Sequence, residues 1–267
     1  MNELQIIQSA LLHVKNAVMH DFPTKNTEEL QPGAYGDRQY EIDLIAEKAL
    51  VSSIRAQLPG YSIISEESGI IKAGPGNNTA LMDPLDGSLN AIKGIPFFSS
   101  TLALANGSTF SDITSAGVID IIRGDIYLAD ANRSTLNGFP LRPSSIREVG
   151  LAFISLDMKM RNPGGEDVFQ RVMDLVRDAK SSRVLGSAAL ETAYAATGKL
   201  DAFVAPLEQL RTFDCLPSIF IARTAGAFVK TIRLNLDTLD LYRRKGISYI
   251  VSSTKELGTS ILSLLDL

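Results

Sequence analysis

Tryptophan is absent, cysteine occurs once (Cys215) and histidine twice (His13 and His20) in 267 residues. A single cysteine excludes an internal disulfide and a thiolate zinc cage. Two histidines leave no basis for a histidine-rich metal centre or a distributed Ser-His-Asp system. No GxxxxGK[ST] loop and no GxSxG elbow occurs, and Gly74-Pro75-Gly76-Asn77-Asn78-Thr79 leads into a strand, the wrong context for a dinucleotide fingerprint. No apolar run reaches 18 residues, so no membrane span is expected. The start of the chain lacks a basic segment followed by an apolar one, so no signal peptide is expected. The net charge of −4 argues against a surface built for nucleic acid or anionic lipid. These absences point to a reduced, cytoplasmic setting, and to chemistry drawn from carboxylates, hydroxyls and backbone groups.

What is present is the composition of a folded chain, 45% apolar and 21% charged. The pattern predicts helices over 2–21 and 42–57. Short strands are expected at Tyr61–Ser65, Ala80–Asp83, Ser99–Ala105, Thr114–Ile119 and Ile126–Ala129. The second half alternates: strands at Leu151–Ser155, Arg183–Leu185, Asp201–Ala205, Ala227–Arg233 and Ser248–Ser252. Helices are expected at Glu166–Asp178, Ser187–Thr197, Cys215–Ala225 and from Lys255. Alternation of this kind gives layered α/β packing. The turn cluster at Pro140–Ser145 divides one domain, 1–267, into a lobe of about 1–145 and a lobe of about 146–267. Residues 22–40, with Pro32, Gly33 and Gly36, are expected to form a loop that closes over a site, Asp37 and Glu41 being acids that recruit an additional ion.

Three segments carry chemistry. Asp83-Pro84-Leu85-Asp86-Gly87-Ser88-Leu89-Asn90 follows an apolar strand. It reads equally as a turn, or as two carboxylates and the Leu85 carbonyl aimed at one hard cation, with Gly87 letting an anion approach a helix start. Ser65-Glu66-Glu67-Ser68-Gly69 reads alone as a solvated turn. Its spacing from Asp83 nevertheless lets Glu66 and Asp83 sit at the ends of neighbouring strands, where carboxylates repel unless a cation is present. Asp214, before an expected helix, is an N-cap or a third ligand. Cys215 reads as a buried small hydrophobe. His13 and His20 read as surface residues.

Together these segments resemble the inositol monophosphatase superfamily. Asp83–Asn90 meets its DP[IL]DG[TS]xN pattern, Glu66-Glu67 its acidic pair, and Phe213-Asp214-Cys215 its [W]DxAAG element. Arg183-Val184-Leu185-Gly186-Ser187-Ala188-Ala189 matches R-x-x-G-[ST]-A-A. Departures are Phe213 for Trp, Cys215-Leu216-Pro217 for small residues, Ser88 for Thr, and Ala91 for an aromatic.

The resemblance implies a layered αβαβα sandwich and a phosphomonoesterase with two or three Mg²⁺ ions, or Mn²⁺. It implies Glu66, Asp83, Asp86, Asp214 and the Leu85 carbonyl as metal ligands. Asp43 and Ser88 would orient the attacking water, and Gly87, Ser88, Gly186, Ser187 and Ala188 would face the substrate. Arg183 and Arg211 are candidates for a second phosphate, as in the archaeal dual-specificity branch. The implied substrates are small phosphorylated sugars or polyols: inositol monophosphate, with fructose 1,6-bisphosphate as companion. A lithium-sensitive homodimer is implied too. The alternatives are a 3′-phosphoadenosine phosphatase and a mainly non-catalytic interaction partner.

Overall fold

The computed structural model describes residues 1–22, 30, 32–36, 38–74, 76–158 and 166–267, the side chains of Asp21, Glu166 and Asp167 excepted. Helices α1 (Glu3–Asp21) and α2 (Glu41–Gln57) come first. Strands β1 (Ser62–Ser65), β2 (Gly69–Ile71) and β3 (Thr79–Asp86) lead to the short helix α3 (Ser88–Ile92). Strands β4 (Ser99–Ala105), β5 (Ile113–Asp120), β6 (Ile126–Asp130), β7 (Ser134–Leu136) and β8 (Phe139–Pro140) follow. The second half runs β9 (Phe153–Leu156), α4 (Glu166–Asp178), β10 (Ser181–Arg183), α5 (Ala188–Ala195), β11 (Ala202–Leu210), α6 (Thr212–Thr224), β12 (Phe228–Thr231), β13 (Ile247–Ser252) and α7 (Lys255–Leu265).

Among the described residues these strands make two sheets, ordered β2-β1-β3-β4-β5-β6-β7-β8 and β10-β9-β11-β13-β12. Alternation along the strands decides what each face meets. Ile63, Ala80, Met82, Leu102 and Leu104 pack under Ile7, Leu11, Val14, Ala46 and Leu50 of α1 and α2. Their neighbours Ile64, Leu81, Ala103 and Ala105 face the opposite way, onto Ala189 and Leu190 of α5 and Phe213, Leu216 and Ile219 of α6. The far side of α5 and α6 meets Phe203, Tyr249 and Val251 of the second sheet. That sheet's other face, with Ile154, Val204 and Ile250, is covered by Val172 and Leu175 of α4 and Leu257 and Ile261 of α7. The architecture is an αβαβα sandwich, and covering both faces of both sheets explains the near-continuous apolar strands.

Local chemistry explains where the elements begin. Asn2 caps α1 by accepting from the Gln5 amide at 2.9 Å while Gln5 accepts from Asn2 at 3.0 Å, a reciprocal pair. Helix α6 starts at Thr212, three residues before the expected Cys215, so Asp214 lies inside its first turn and Pro217 beyond it. Proline in a helix interior removes one donor. The carbonyl four residues earlier, that of Phe213, is taken instead by the Thr101 hydroxyl of β4 at 3.2 Å. The short strands β2, β7 and β8 were not predicted. The strand expected at Arg183–Leu185 lies at Ser181–Arg183, paired in parallel with β9. In the loop expected to gate the site, 23–29, 31 and 37 lie outside the described residues. The described part is tied to the β1–β2 turn: Ala34 N–H donates to the Glu67 carbonyl at 3.0 Å, and Gln39 Nε2 donates to Glu67 Oε2 at 2.6 Å.

Candidate active site

Parallel pairing of β1 with β3 sets Ser65 opposite Met82, so the next residues, Glu66 and Asp83, emerge side by side. Asp214 arrives from the first turn of α6, which packs across β3 and β4. One carboxylate oxygen from each of Glu66, Asp83 and Asp214 lies within 4.8 Å of the other two. Asp83 is buried, and its carboxyl is pushed well above the usual carboxylate range. Burial is the main cause, and repulsion from Glu66, Asp86 and Asp214 adds to it. The Leu85 N–H at 3.0 Å opposes the rise without cancelling it. Three acids converging on one point fit a divalent cation, and an all-oxygen donor set suits Mg²⁺ or Mn²⁺.

The other candidate ligands are close by but engaged. Asp86 Oδ2 accepts from the Ser187 hydroxyl at 2.6 Å, the Ala189 N–H at 2.8 Å and the Ser99 hydroxyl at 3.4 Å, so it faces the start of α5. The Leu85 carbonyl accepts from the Ser88 hydroxyl at 2.8 Å. Asp43, buried on α2, accepts the Tyr40 N–H on Oδ2 at 2.8 Å, while its Oδ1 has no hydrogen-bond partner. Burial raises Asp43 to about 6. The Ser88 hydroxyl is near enough to oppose that rise, yet its hydrogen bond goes to Leu85.

Gly87 has φ of 95°, a conformation side chains resist, and a Cβ there would sit 3.0 Å from the Gly186 carbonyl. That close approach brings Gly186–Ala188 against the start of α3. Asn90 locks the arrangement by donating from Nδ2 to the carbonyls of Phe97 at 2.8 Å and Leu185 at 2.7 Å. Arg211 lies beside Asp214: its backbone N–H donates to Asp214 Oδ2 at 2.7 Å. Its guanidinium stacks over Tyr35 at 5.0 Å and donates to the Tyr35 carbonyl at 3.2 Å. Arg183 is exposed. Its guanidinium stacks over Phe153 at 5.1 Å and donates to the Ser181 hydroxyl and Ser182 carbonyl, contacts with its own strand and β9.

Three supporting groups escaped the sequence reading. Buried Glu47 accepts from the Ser65 hydroxyl at 2.5 Å and from the Ser68 N–H and hydroxyl at 3.0 and 2.7 Å, fixing the turn that carries Glu66. Buried Glu191 accepts from the N–H groups of Leu185, Gly186 and Ser187 at 3.1, 3.2 and 3.3 Å. Burial raises it to about 8 despite those donors, and Asp86 adds to the rise. Thr101 accepts from the Asp83 N–H at 3.2 Å as it donates to Phe213. Glu47 stands four residues after Asp43 on one helix face, and Glu191 interrupts an Ala-rich stretch; each was a usable signal. Cys215 is buried, its thiol raised well above its usual range by burial and donating to the Arg211 carbonyl, the setting of an inert thiol.

The profile of the Inositol monophosphatase family matches residues 2–266. A fructose-1,6-bisphosphatase/inositol-1-monophosphatase of Methanothermobacter thermautotrophicus is 30% identical over 254 residues, 90% of this chain and 87% of that protein. The Nus factor SuhB of Haemophilus influenzae is 28% identical over 246 residues, 91% and 88% of the two chains. The crystal structure of the extragenic suppressor protein suhB of Bartonella henselae superposes with a TM-score of 0.83 at 22% identity, covering 98% of this chain and 97% of that one. Two sheets between three helical layers, with clustered acids at the strand ends, thus define a sugar-phosphatase sandwich. The chain belongs to the inositol monophosphatase family and is a phosphatase. Among the described residues no helix is long and apolar enough to cross a membrane.

Proposed function

We propose that this chain hydrolyses inositol monophosphate, and fructose 1,6-bisphosphate alongside it, with Mg²⁺ as cofactor in two or three copies and Mn²⁺ as a substitute. The observation that carries this reading is the convergence of Glu66, Asp83 and Asp214 on one point, with Asp83 buried against the repulsion of its neighbours. These three would hold the ion, with Asp86 adding negative charge and the Leu85 carbonyl a neutral oxygen. A bound divalent cation supplies charge neutralisation for the phosphoryl oxygens and acidifies water. Asp43 Oδ1, buried and without a partner, accepts a proton from the attacking water. The Ser88 hydroxyl orients that water. The backbone at Gly87 and Ser88 and the segment Gly186–Ala188 enclose the phosphate, and Arg211 stands toward the rest of the substrate. No covalent enzyme intermediate is required, which suits an inert Cys215 and exposed histidines.

Phosphate release from inositol 1-phosphate, fructose 1,6-bisphosphate, 3′-phosphoadenosine 5′-phosphate and NADP, with Mg²⁺ and again with EDTA, tests this reading. Mg²⁺-dependent turnover fastest on the first two is expected. Faster turnover of the nucleotides would favour the nucleotide reading. A Methanococcus maripaludis relative named bifunctional NADP phosphatase/NAD kinase, 29% identical over 86% of this chain and 43% of that protein, makes that reading worth testing. Negligible turnover of all four by a folded protein would favour a binding role, which the Nus factor relatives make worth testing. A cytoplasmic, lithium-sensitive homodimer belongs to the same proposal; light scattering and inhibition by LiCl test its last two parts.

A further inference from the structure

The connection between β12 and β13 carries Arg243, Arg244 and Lys245 in succession. They line a cavity of about 480 Å³ together with Leu234, Leu239 and Asp240. We propose that this cavity is a cationic subsite for a second phosphoryl group of the substrate, with Arg244 as the residue that selects bisphosphorylated esters. The inference rests on the phosphatase reading above.

Position is the first argument. The Arg244 guanidinium lies 5.7 Å from the centre of the Tyr35 ring, the ring over which Arg211 also stacks. Tyr35 in turn meets Phe213 edge-on at 5.2 Å, one residue before the metal-site acid Asp214. A chain of two rings, Tyr35 and Phe213, therefore links the cationic cavity to the segment that carries Asp214.

Charge is the second. Three cations face one acid, and Asp240 is already engaged, its Oδ1 accepting the Tyr242 N–H at 3.0 Å. Arg244 makes no ion pair among the described residues. Arg243 Nε is buried with no hydrogen-bond partner. Buried donors are almost always satisfied, so an Arg243 one acceptor short in the lining of the cavity leaves guanidinium charge for acceptors that arrive from outside. Phosphoryl oxygens are such acceptors, and the planar guanidinium fork matches them in pairs. Leu234 and Leu239 leave an apolar wall for the carbon body of the ester.

Rigidity is the third. The Thr212 hydroxyl of α6 donates to the Leu241 carbonyl at 2.8 Å, tying this segment to the helix that carries Asp214. At its other end Gly246 lies so close to β11 that a Cβ would collide with the Glu208 carbonyl. The cations are thus held at a fixed span from the trio, and little ordering remains to be done on binding.

Because Arg244 is exposed, Arg244→Ala leaves the core untouched. The readout is the ratio of kcat/KM on fructose 1,6-bisphosphate to that on inositol 1-phosphate, with Mg²⁺. The ratio is expected to fall about 10- to 100-fold in Arg244→Ala, and less in Arg244→Lys, which keeps charge but loses the fork. An unchanged ratio overturns the subsite. If the wild type hydrolyses neither ester, the phosphatase reading fails separately. Calorimetric titration with fructose 1,6-bisphosphate in EDTA then decides this proposal. Binding weakened at least tenfold in Arg244→Ala supports it, and equal affinity, or no binding by the wild type, overturns it.

Discussion

Glu47 and Asp83 are carboxylates buried at the same end of the first sheet, yet their surroundings are opposite. Glu47 is met by two hydroxyls and an N–H, all donors. Asp83 is met by one N–H and by three further acids. A buried carboxylate surrounded by donors closes its own account and holds backbone in place. One surrounded by its own kind is an unfinished interaction that only protonation or a cation completes. Glu191 belongs with Glu47 by its three N–H donors, although Asp86 nearby pushes it partway toward the other class.

The contrast breaks most readily at Asp83. Asp83→Asn keeps an acceptor for Leu85 and removes one charge from the trio. Mg²⁺-dependent turnover should drop by about 10³-fold or more, since several kcal/mol of charge stabilisation is lost. Melting in EDTA should stay level or rise, because repulsion is relieved. A clear loss of metal-free stability with activity intact would place Asp83 in the structural class instead.

A smaller effect is expected in the pH dependence of metal-free stability. Glu191, raised from its ordinary 4.5 to about 8, stays protonated when folded over a range in which the unfolded chain is ionised. The folded state therefore binds the extra proton between those values, and stability falls as pH rises through them. Asp43, raised to about 6 from 3.8, adds the same sign lower down. Urea midpoints in EDTA should decline from pH 5 to 8, the unfolding free energy falling by on the order of a few kcal/mol at most. Glu191→Gln should flatten the upper part, from 6 to 8. Midpoints that climb over this range would contradict both assignments.

The smallest change is expected at Glu47. Glu47→Ala strands the Ser65 and Ser68 donors and should cost about 1–3 kcal/mol in chemical denaturation. Turnover should fall no more than about tenfold, through loosening of the Glu66 turn. A loss of activity matching that of Asp83→Asn, without loss of stability, would erase the distinction between the two acids.

The layered fold was legible because its strands are buried on both faces and its helices carry clear apolar stripes. The acids of the trio were legible because Asp83–Asn90 and Glu66-Glu67 follow apolar strands and meet a recognisable family pattern. Short strands such as β7 and β8 were not, since two or three residues hold no period. The start of α6 was misread because Pro217 suggested a first turn. Its lost bond is made good by Thr101, more than a hundred positions away in sequence, and no local pattern reports that. Glu47 and Glu191 left a usable signal in their placement, but an acid on a helix reads as solvated until the donors packed against it are seen.

The Thr101 hydroxyl spans the backbone of Asp83 and that of Phe213, and so joins acids from opposite halves of the chain. No early, locally structured folding intermediate can contain the trio, because closing so long a loop comes late and α6 must dock on β4 first. Any cation affinity of the trio would therefore report the docking of α6 on β4. A nascent or partly unfolded chain lacks the trio, so an ion held there would act on the folded population alone, drawing the equilibrium toward it by mass action.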